Sequence, residues 1–233
     1  MCGFSAAHPV KQWRATGNCD TISGMEKSRT VAILANGAPP QAVQQKMLFA
    51  ADKLICCDGA YRVAKVLNRV PDHVVGDGDS LSGADREELG ARFVLRPDQD
   101  TNDLDKAFRF ACETYPDHAV VILGASGFRE DHFLGNVFRL FDFARRTSRP
   151  VSLCTDHGVF EVVASERSFA CAPGDAVSVF AVDPATHVTS SGLVWPLDGV
   201  AFENLFCGTL NRTSGDGFTL NPDRPILVFR AWH

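Results

Sequence analysis

No two cysteines in this chain have the C-x-x-C spacing of a zinc or redox motif, although its 233 residues include 8 Cys. They lie at positions 2, 19, 56, 57, 112, 154, 171 and 207, and only Cys56 and Cys57 are adjacent. That scatter fits neither a four-ligand zinc site nor a disulfide framework. Buried free thiols in a reducing compartment explain it better. No run approaches 18 apolar residues, so no membrane-spanning helix is expected. The first 26 residues lack the apolar core of a signal peptide. No basic cluster offsets the formal net charge of −5, which argues against a general nucleic-acid binder. The G-x-x-x-x-G-K-[ST] loop is missing, which excludes a P-loop NTPase. Internal repeats and low-complexity tracts are also absent. A cytoplasmic protein follows by elimination.

What is present is ordinary for a globular protein: 45% hydrophobic and 22% charged residues. A chain this long buries about 70% of its unfolded surface and needs no stapling. Residues 1–26 show no hydrophobic period and precede a second methionine, Met25; they read as an irregular extension or as an early start. From Thr30 the pattern changes. Short, mostly apolar runs (Val31–Leu34, Leu54–Cys57, His73–Val75, Arg92–Leu95, Ala119–Leu123 and Pro150–Cys154) alternate with helix-compatible stretches. Among the latter, Ser82 is placed to cap a helix through Leu89, with Asp85 as the reciprocal acid. Another helix is expected from about Asp103 to Thr114, and a longer one up to about Arg146. This alternation predicts a three-layer α/β domain with a mostly parallel sheet over residues 27–155. After residue 155 the period becomes two, as in Val159–Val163, Ala176–Phe180 and Ile226–Phe229, broken by Pro and Gly turns. A C-terminal antiparallel β-sandwich over 156–233 is expected.

The polar clusters fall at the carboxyl ends of the predicted strands, where open α/β sheets bind ligands. Asp58, Asp77, Asp79, Asp100 and Arg129 are thereby set along one edge. Asp77 and Asp79 are two apart in an extended, glycine-flanked loop, so both carboxylates can meet one cation. Oxygen ligands of this kind suit Mg²⁺, which keeps positions open for substrate phosphates. A solvated acidic turn is the competing reading, and D-x-D also marks metal-dependent nucleotide-sugar transferases. Asp103 and Lys106 are three apart on a helix face, either as a surface pair or as a third metal carboxylate with a phosphate-binding ammonium. Gly124–Gly127 is a loop that can direct N–H groups at anions, with Arg129 as a fork for phosphate. His132, on one helix face with Asn136, reads more readily as a structural histidine than as a base.

These segments resemble the thiamine pyrophosphokinase family. The resemblance rests on Asp58-Gly59-Ala60, Gly76-Asp77-Gly78-Asp79-Ser80, Asp98 to Asp103 with Lys106-Ala107, and Gly124 to His132 with Asn136. Ser190-Ser191-Gly192-Leu193-Val194-Trp195 is similar to the family's thiamine-binding segment, and Gly208-Thr209-Leu210-Asn211 falls where its glycine–serine–asparagine turn would be. The likeness runs from about Val31 to Trp232. It implies an ATP-binding α/β domain, a thiamine-binding sandwich and a homodimer with shared sites. It also implies transfer of a pyrophosphoryl group from ATP to thiamine, releasing AMP. By position, Asp77, Asp79 and Asp103 would hold Mg²⁺. Gln99, Lys106 and Arg129 would hold phosphates, with Asp58, Asp100, Asn102, Asp131 and His132 also on the ATP side. Ser190, Ser191, Trp195 and Asn211 would line the thiamine pocket. Two positions depart from the pattern: Asn102 replaces a threonine and Leu210 a serine. The first is expected to touch a phosphate hydrogen bond, the second a thiamine contact. The rival readings are the D-x-D sugar transferase and a non-catalytic thiamine- or nucleotide-binding protein.

Overall fold

The computed structural model describes residues 29–98 and 100–232. The expected irregular segment 1–26 and Gln99 lie outside them. Among the described residues, thirteen strands and five α-helices follow in chain order. The first part comprises β1 (Thr30–Leu34), α1 (Ala42–Ala50), β2 (Lys53–Cys57), α2 (Tyr61–Val66), β3 (His73–Gly76), α3 (Gly83–Leu89), β4 (Phe93–Leu95), α4 (Asp103–Thr114), β5 (Ala119–Leu123), α5 (Glu130–Arg146) and β6 (Val151–Cys154). The strands β1, β2, β5 and β6 are buried at nearly every consecutive residue. A strand buried at odd and even positions alike is covered on both faces, and this is why these strands read as apolar runs. The capping box at Ser82 forms: its hydroxyl accepts from Asp85 N, and the Asp85 carboxylate accepts from Ser82 N at 3.2 Å. α4 spans the expected residues and presents one apolar face through Leu104, Ala107, Phe108 and Ala111.

The remaining strands are β7 (Gly158–Val163), β8 (Arg167–Ala170), β9 (Ala176–Phe180), β10 (Val188–Ser191), β11 (Asn211–Arg212), β12 (Gly217–Pro222) and β13 (Ile226–Ala231). Four of them do not make a sheet of their own. One ten-stranded sheet runs β11-β9-β13-β7-β6-β5-β1-β2-β3-β4, and β8, β10 and β12 form a separate antiparallel sheet. The join is β6 against β7, paired antiparallel with Leu153 opposite Phe160. β1 to β6 are paired in parallel throughout. The sandwich expected from the C-terminal pattern is therefore the far end of the large sheet facing the small one. A second core including Val177, Val179, Leu193, Phe202, Phe218 and Val228 lies within it. The buried carboxylate of Glu161 on β7 holds Arg230 of β13 at 2.6 Å and Arg167 of β8 at 2.7 Å, so it ties the two sheets together.

Strand order also locates the ligand edge. From β1 the chain moves outward through β2, β3 and β4, and then crosses back to place β5 on the other side of β1. The order in which strands are added reverses between β1 and β5, which is where open α/β sheets form a crevice. Among the described residues no helix is long and apolar enough to cross a membrane. Among the described residues the six cysteines form no disulfide; Cys56, Cys57 and Cys154 are buried, as expected, while Cys207 is exposed. Burial pushes the Cys56 thiol up to about 12.

Candidate active site

A cavity of about 660 Å³ opens at the reversal point, between the loops that leave β1 and β5. Its floor is stiff because the two loops continue the pairing of their strands. Gly37 N donates to Gly124 O at 2.7 Å and Ala38 N to Ser126 O at 2.8 Å. Beneath them the Gln44 amide oxygen, on α1 and buried, accepts from Gly124 N at 2.8 Å. The walls include Asn36, Ser126 and Phe128 from the loops, Asn102 and Asp103 from the start of α4, and Arg129, Asp131, His132 and Asn136 from the start of α5. Four of the expected ATP-side residues, Asn102, Arg129, Asp131 and His132, thus share one cavity with Asp103, expected as a metal ligand. Asn36, Ser126 and Phe128 were not singled out from the sequence. Phe128, 65% exposed, is an apolar residue in a glycine loop, and that oddity was the available signal. Asp100 does not line the cavity; its N–H closes a turn on Asp98 at 2.9 Å.

Beside the cavity, carboxylate oxygens of Asp58, Asp77 and Asp79 lie within 4.8 Å of one another. Asp58 follows β2 and is buried. Its Oδ1 accepts from Gly59 N at 2.6 Å and its Oδ2 from Gly78 N at 3.1 Å, so it grips the D-x-D loop. Two glycines permit this approach. A Cβ at Gly76 would lie 2.7 Å from Asp58 Cγ, and Gly78 sits at φ +82°. Burial, and then the nearby Asp103 charge, push the Asp58 carboxyl upward, against the pull of the two backbone N–H groups. A set of crowded oxygen donors with one member disfavoured as an anion is what a divalent cation would relieve. The third carboxylate of this compact set is Asp58, placed on the ATP side by the sequence reading. Asp103 is instead held by Lys106.

Lys106 links the cluster to the cavity. Its Nζ is 3.2 Å from Asp103 Oδ1 and 3.5 Å from Asp77 Oδ2, with the side chain 2% exposed. Burial alone would lower its pKa, but the Asp103 and Asp77 carboxylates outweigh burial and hold it above the ordinary value. This is a buried network and not a surface i,i+3 pair. α4 is fixed from behind by Asp105, 3% exposed, whose carboxylate takes Arg139 of α5 at 2.9 and 3.1 Å through Nε. The departure at Asn102 also gains an account: its side chain is the N-cap of α4 and accepts from Asp105 N at 2.9 Å. Arg129 pairs with Asp131 at 2.6 Å in the open, and holds the Asp131 carboxyl down at about 2. His132 is exposed, which removes the structural-histidine reading.

The expected thiamine-side residues stand on the sandwich and do not line this cavity. Trp195 is 56% exposed and Ser191 is exposed on β10. Ser190 Oγ accepts from Leu197 N at 2.7 Å, and Asn211 is 3% exposed. Leu210, where the second departure falls, is 71% exposed with φ +61°.

Two family models match the chain in tandem. The catalytic domain of thiamin pyrophosphokinase matches residues 44–153, and the substrate-binding domain of thiamin pyrophosphokinase matches residues 158–229. A stretch of 148 residues, 56% of this chain, is 32% identical to thiamine pyrophosphokinase 1 of Oryza sativa subsp. japonica. A stretch of 76 residues, 31% of the chain, is 37% identical to thiamine pyrophosphokinase of Bacillus subtilis. These stretches span 54% and 35% of the two relatives. In three dimensions the chain superposes on the crystal structure of the Bacillus subtilis thiamine pyrophosphokinase with a TM-score of 0.74, 22% identity, and coverage of 88% of this chain and 99% of that one. The yeast thiamin pyrophosphokinase structure gives 0.73 at 14% identity, covering 92% of this chain and 89% of its own.

Proposed function

Because this chain belongs to the thiamin pyrophosphokinase family, we propose that it transfers a pyrophosphoryl group from ATP to the hydroxyl of thiamine, giving thiamine diphosphate and AMP. The observation that carries this reading is the unbroken link from cavity to carboxylate cluster through Asp103, Lys106 and Asp77. The nucleotide occupies the cavity, with Asn102, Arg129, Asp131 and His132 along its wall and Asp100 just before α4. Asp77 and Asp79, with Asp58 beside them and Asp103 across Lys106, hold Mg²⁺. When bound, the ion neutralises charge on the transferring phosphoryl oxygens.

The thiamine oxygen attacks the β-phosphorus. The bond from that phosphorus to the oxygen bridging the α-phosphate breaks, and AMP leaves with the electron pair. The hydroxyl proton passes to a carboxylate of the cluster, which suffices if the transition state is loose. Lys106 and Arg129 sit where negative charge grows on the equatorial oxygens, and a preorganised cation is worth most there. Arg129 must exchange Asp131 for phosphate, and the exposed pair makes that exchange cheap. Trp195 and Ser191 offer thiamine a face on the sandwich, where a cationic thiazolium ring over indole gains on the order of 0.5–2 kcal/mol. The proposed boundary between the two functional units is the turn after β6, at about residue 155.

The sandwich residues stand apart from the cavity lining, so we propose a homodimer in which one subunit's Trp195 serves its partner's nucleotide site. A cytoplasmic location fits the buried free thiols. The sugar-transferase reading of D-x-D and the non-catalytic reading are not favoured, since both matched models describe thiamin pyrophosphokinase and one is its catalytic domain. The test is direct. Purified protein with ATP, Mg²⁺ and thiamine should yield AMP and thiamine diphosphate in equal amounts by mass spectrometry. ADP as the nucleotide product, or no product, overturns the assignment.

A further inference from the structure

Two side chains carried over as thiamine ligands are already engaged within the chain. The Nδ2 of Asn211 donates to Trp195 O at 2.6 Å, while its Oδ1 accepts from Trp195 N at 3.2 Å and Arg212 N at 2.8 Å. An amide oxygen has two lone pairs, and both are used. At the other end of the segment, Ser190 Oγ accepts from Leu197 N at 2.7 Å and donates to Asp198 Oδ2 at 3.3 Å. Between these clamps, Val194 N donates to Arg212 O at 2.8 Å. Leu193 and Leu197 are buried on either side of Trp195, yet the indole stands 56% exposed. The backbone under Trp195 is tied down on both of its polar groups while the ring is left outside.

The neighbouring residue shows what this arrangement costs. Leu210 takes a left-handed backbone at φ +61°, a conformation that is strained for a non-glycine residue. That turn delivers Asn211 inward, beneath Trp195. Strain of this kind persists where surrounding contacts over-determine it, and such sites cluster at ligand clamps.

We propose that Asn211 and Ser190 are positioning residues that hold the 190–198 segment so that Trp195 is presented as a rigid aromatic face, and that neither is a thiamine ligand. This rests on the thiamine reading of Trp195 given above. The gain is preorganisation: a loop ordered before binding does not lose that freedom when the ligand arrives.

The test compares Trp195→Ala, Asn211→Ala and the double variant in thiamine KM, ATP KM and kcat. Each single change should raise thiamine KM at least about 10-fold with ATP KM within about 2-fold. The double variant should stay within about 2-fold of Trp195→Ala alone, because a residue acting only through Trp195 has nothing left to position. Multiplying effects would make Asn211 a ligand and overturn the proposal. A readout independent of substrate is acrylamide quenching of Trp195 emission, isolated by subtracting the Trp195→Ala signal. Asn211→Ala should change the quenching constant, and an unchanged constant overturns the clamp. If Trp195→Ala leaves thiamine KM unaltered, the thiamine reading of that face falls, and quenching alone decides the clamp. Should Asn211→Ala fail to fold, Ser190→Ala, which removes a single hydrogen-bonding group, is judged by the same two measurements.

Discussion

Replacing Lys106 by methionine keeps the length of the side chain and removes its charge. The ammonium lies 3.2 Å from Asp103 and 3.5 Å from Asp77, almost wholly shielded from solvent. At an effective dielectric near 20, each pair attracts by about 5 kcal/mol. Desolvating the ammonium and the carboxylates consumes most of that, so the net loss on Lys106→Met is about 2–4 kcal/mol. In a chain of this size each kcal/mol moves the thermal midpoint by about 2–4 °C, so the expected fall without divalent metal is about 4–16 °C. The carboxylates left behind repel one another, and Mg²⁺ should then restore much of the midpoint through mass action. Wild type, with an ammonium competing for the same oxygens, should respond less to the same Mg²⁺ concentration. Turnover in saturating Mg²⁺ should nonetheless stay at least about 100-fold down, since a preorganised cation is missing as charge develops. Scanning fluorimetry across a Mg²⁺ titration, beside an AMP-release assay, reads all three effects. An unchanged midpoint, or a Mg²⁺ response equal to wild type, would refute Lys106 as the counter-ion of this cluster.

Asp77→Asn and Asp79→Asn should each lower kcat by at least about 100-fold while thiamine binding stays measurable; near-normal turnover in both would dismiss the metal reading. Arg139→Met should destabilise more than Asp105→Asn in urea unfolding, because the first leaves a carboxylate that is 5% exposed with only the longer 3.9 Å pairing to Arg146, while the second leaves a guanidinium that is 32% exposed and retains Asp142; the reverse order would show that α4 is not held by this pair. Burial holds the His73 imidazole below its ordinary value, and its Nδ1 lacks a hydrogen-bond partner. The unfolded chain therefore takes the proton first, so His73's contribution to stability is complete above about pH 6.5 and is lost as pH falls through the lower folded value. His73→Phe should flatten the stability profile below pH 6.5, and an unaltered slope would rule His73 out as its source. Inactive Asp77→Asn and impaired Trp195→Ala protein, co-refolded and assayed at low thiamine, should regain about a quarter of wild-type activity, since about half the dimers are hybrids with one intact site; a mixture no better than the mean of the two variants would place each site within one chain.

The N-terminal half was legible because its physics is local. A strand buried on both faces is apolar at nearly every position, so β1, β2, β3, β5 and β6 stand out as short, almost continuous apolar runs. Ser82 with Asp85 marks the start of α3 through hydrogen bonds that span three residues. D-x-D sets two carboxylates on one side within a single loop. β8, β10 and β11 are short, and Arg, Ser, Thr and Asn dominate them. Nothing in those few residues tells a strand from a turn, since their partners supply the ladder.

From the sequence alone came the α/β class, the edge that carries the ligands, the motifs in their order and the likeness to a family. Each depends on residues close together in the chain or on the period of burial. Only the tertiary structure joined the two halves into one sheet through β6 and β7. It alone brought Asp58 against a loop 20 residues away and buried Lys106 between Asp77 and Asp103. It also set Asn211 beneath a tryptophan 16 residues earlier. Those pairings depend on how strands stack and loops meet. A carboxylate or an amide has the same sequence signature whether it meets solvent, metal or its own backbone, and only the fold decides which of them it meets.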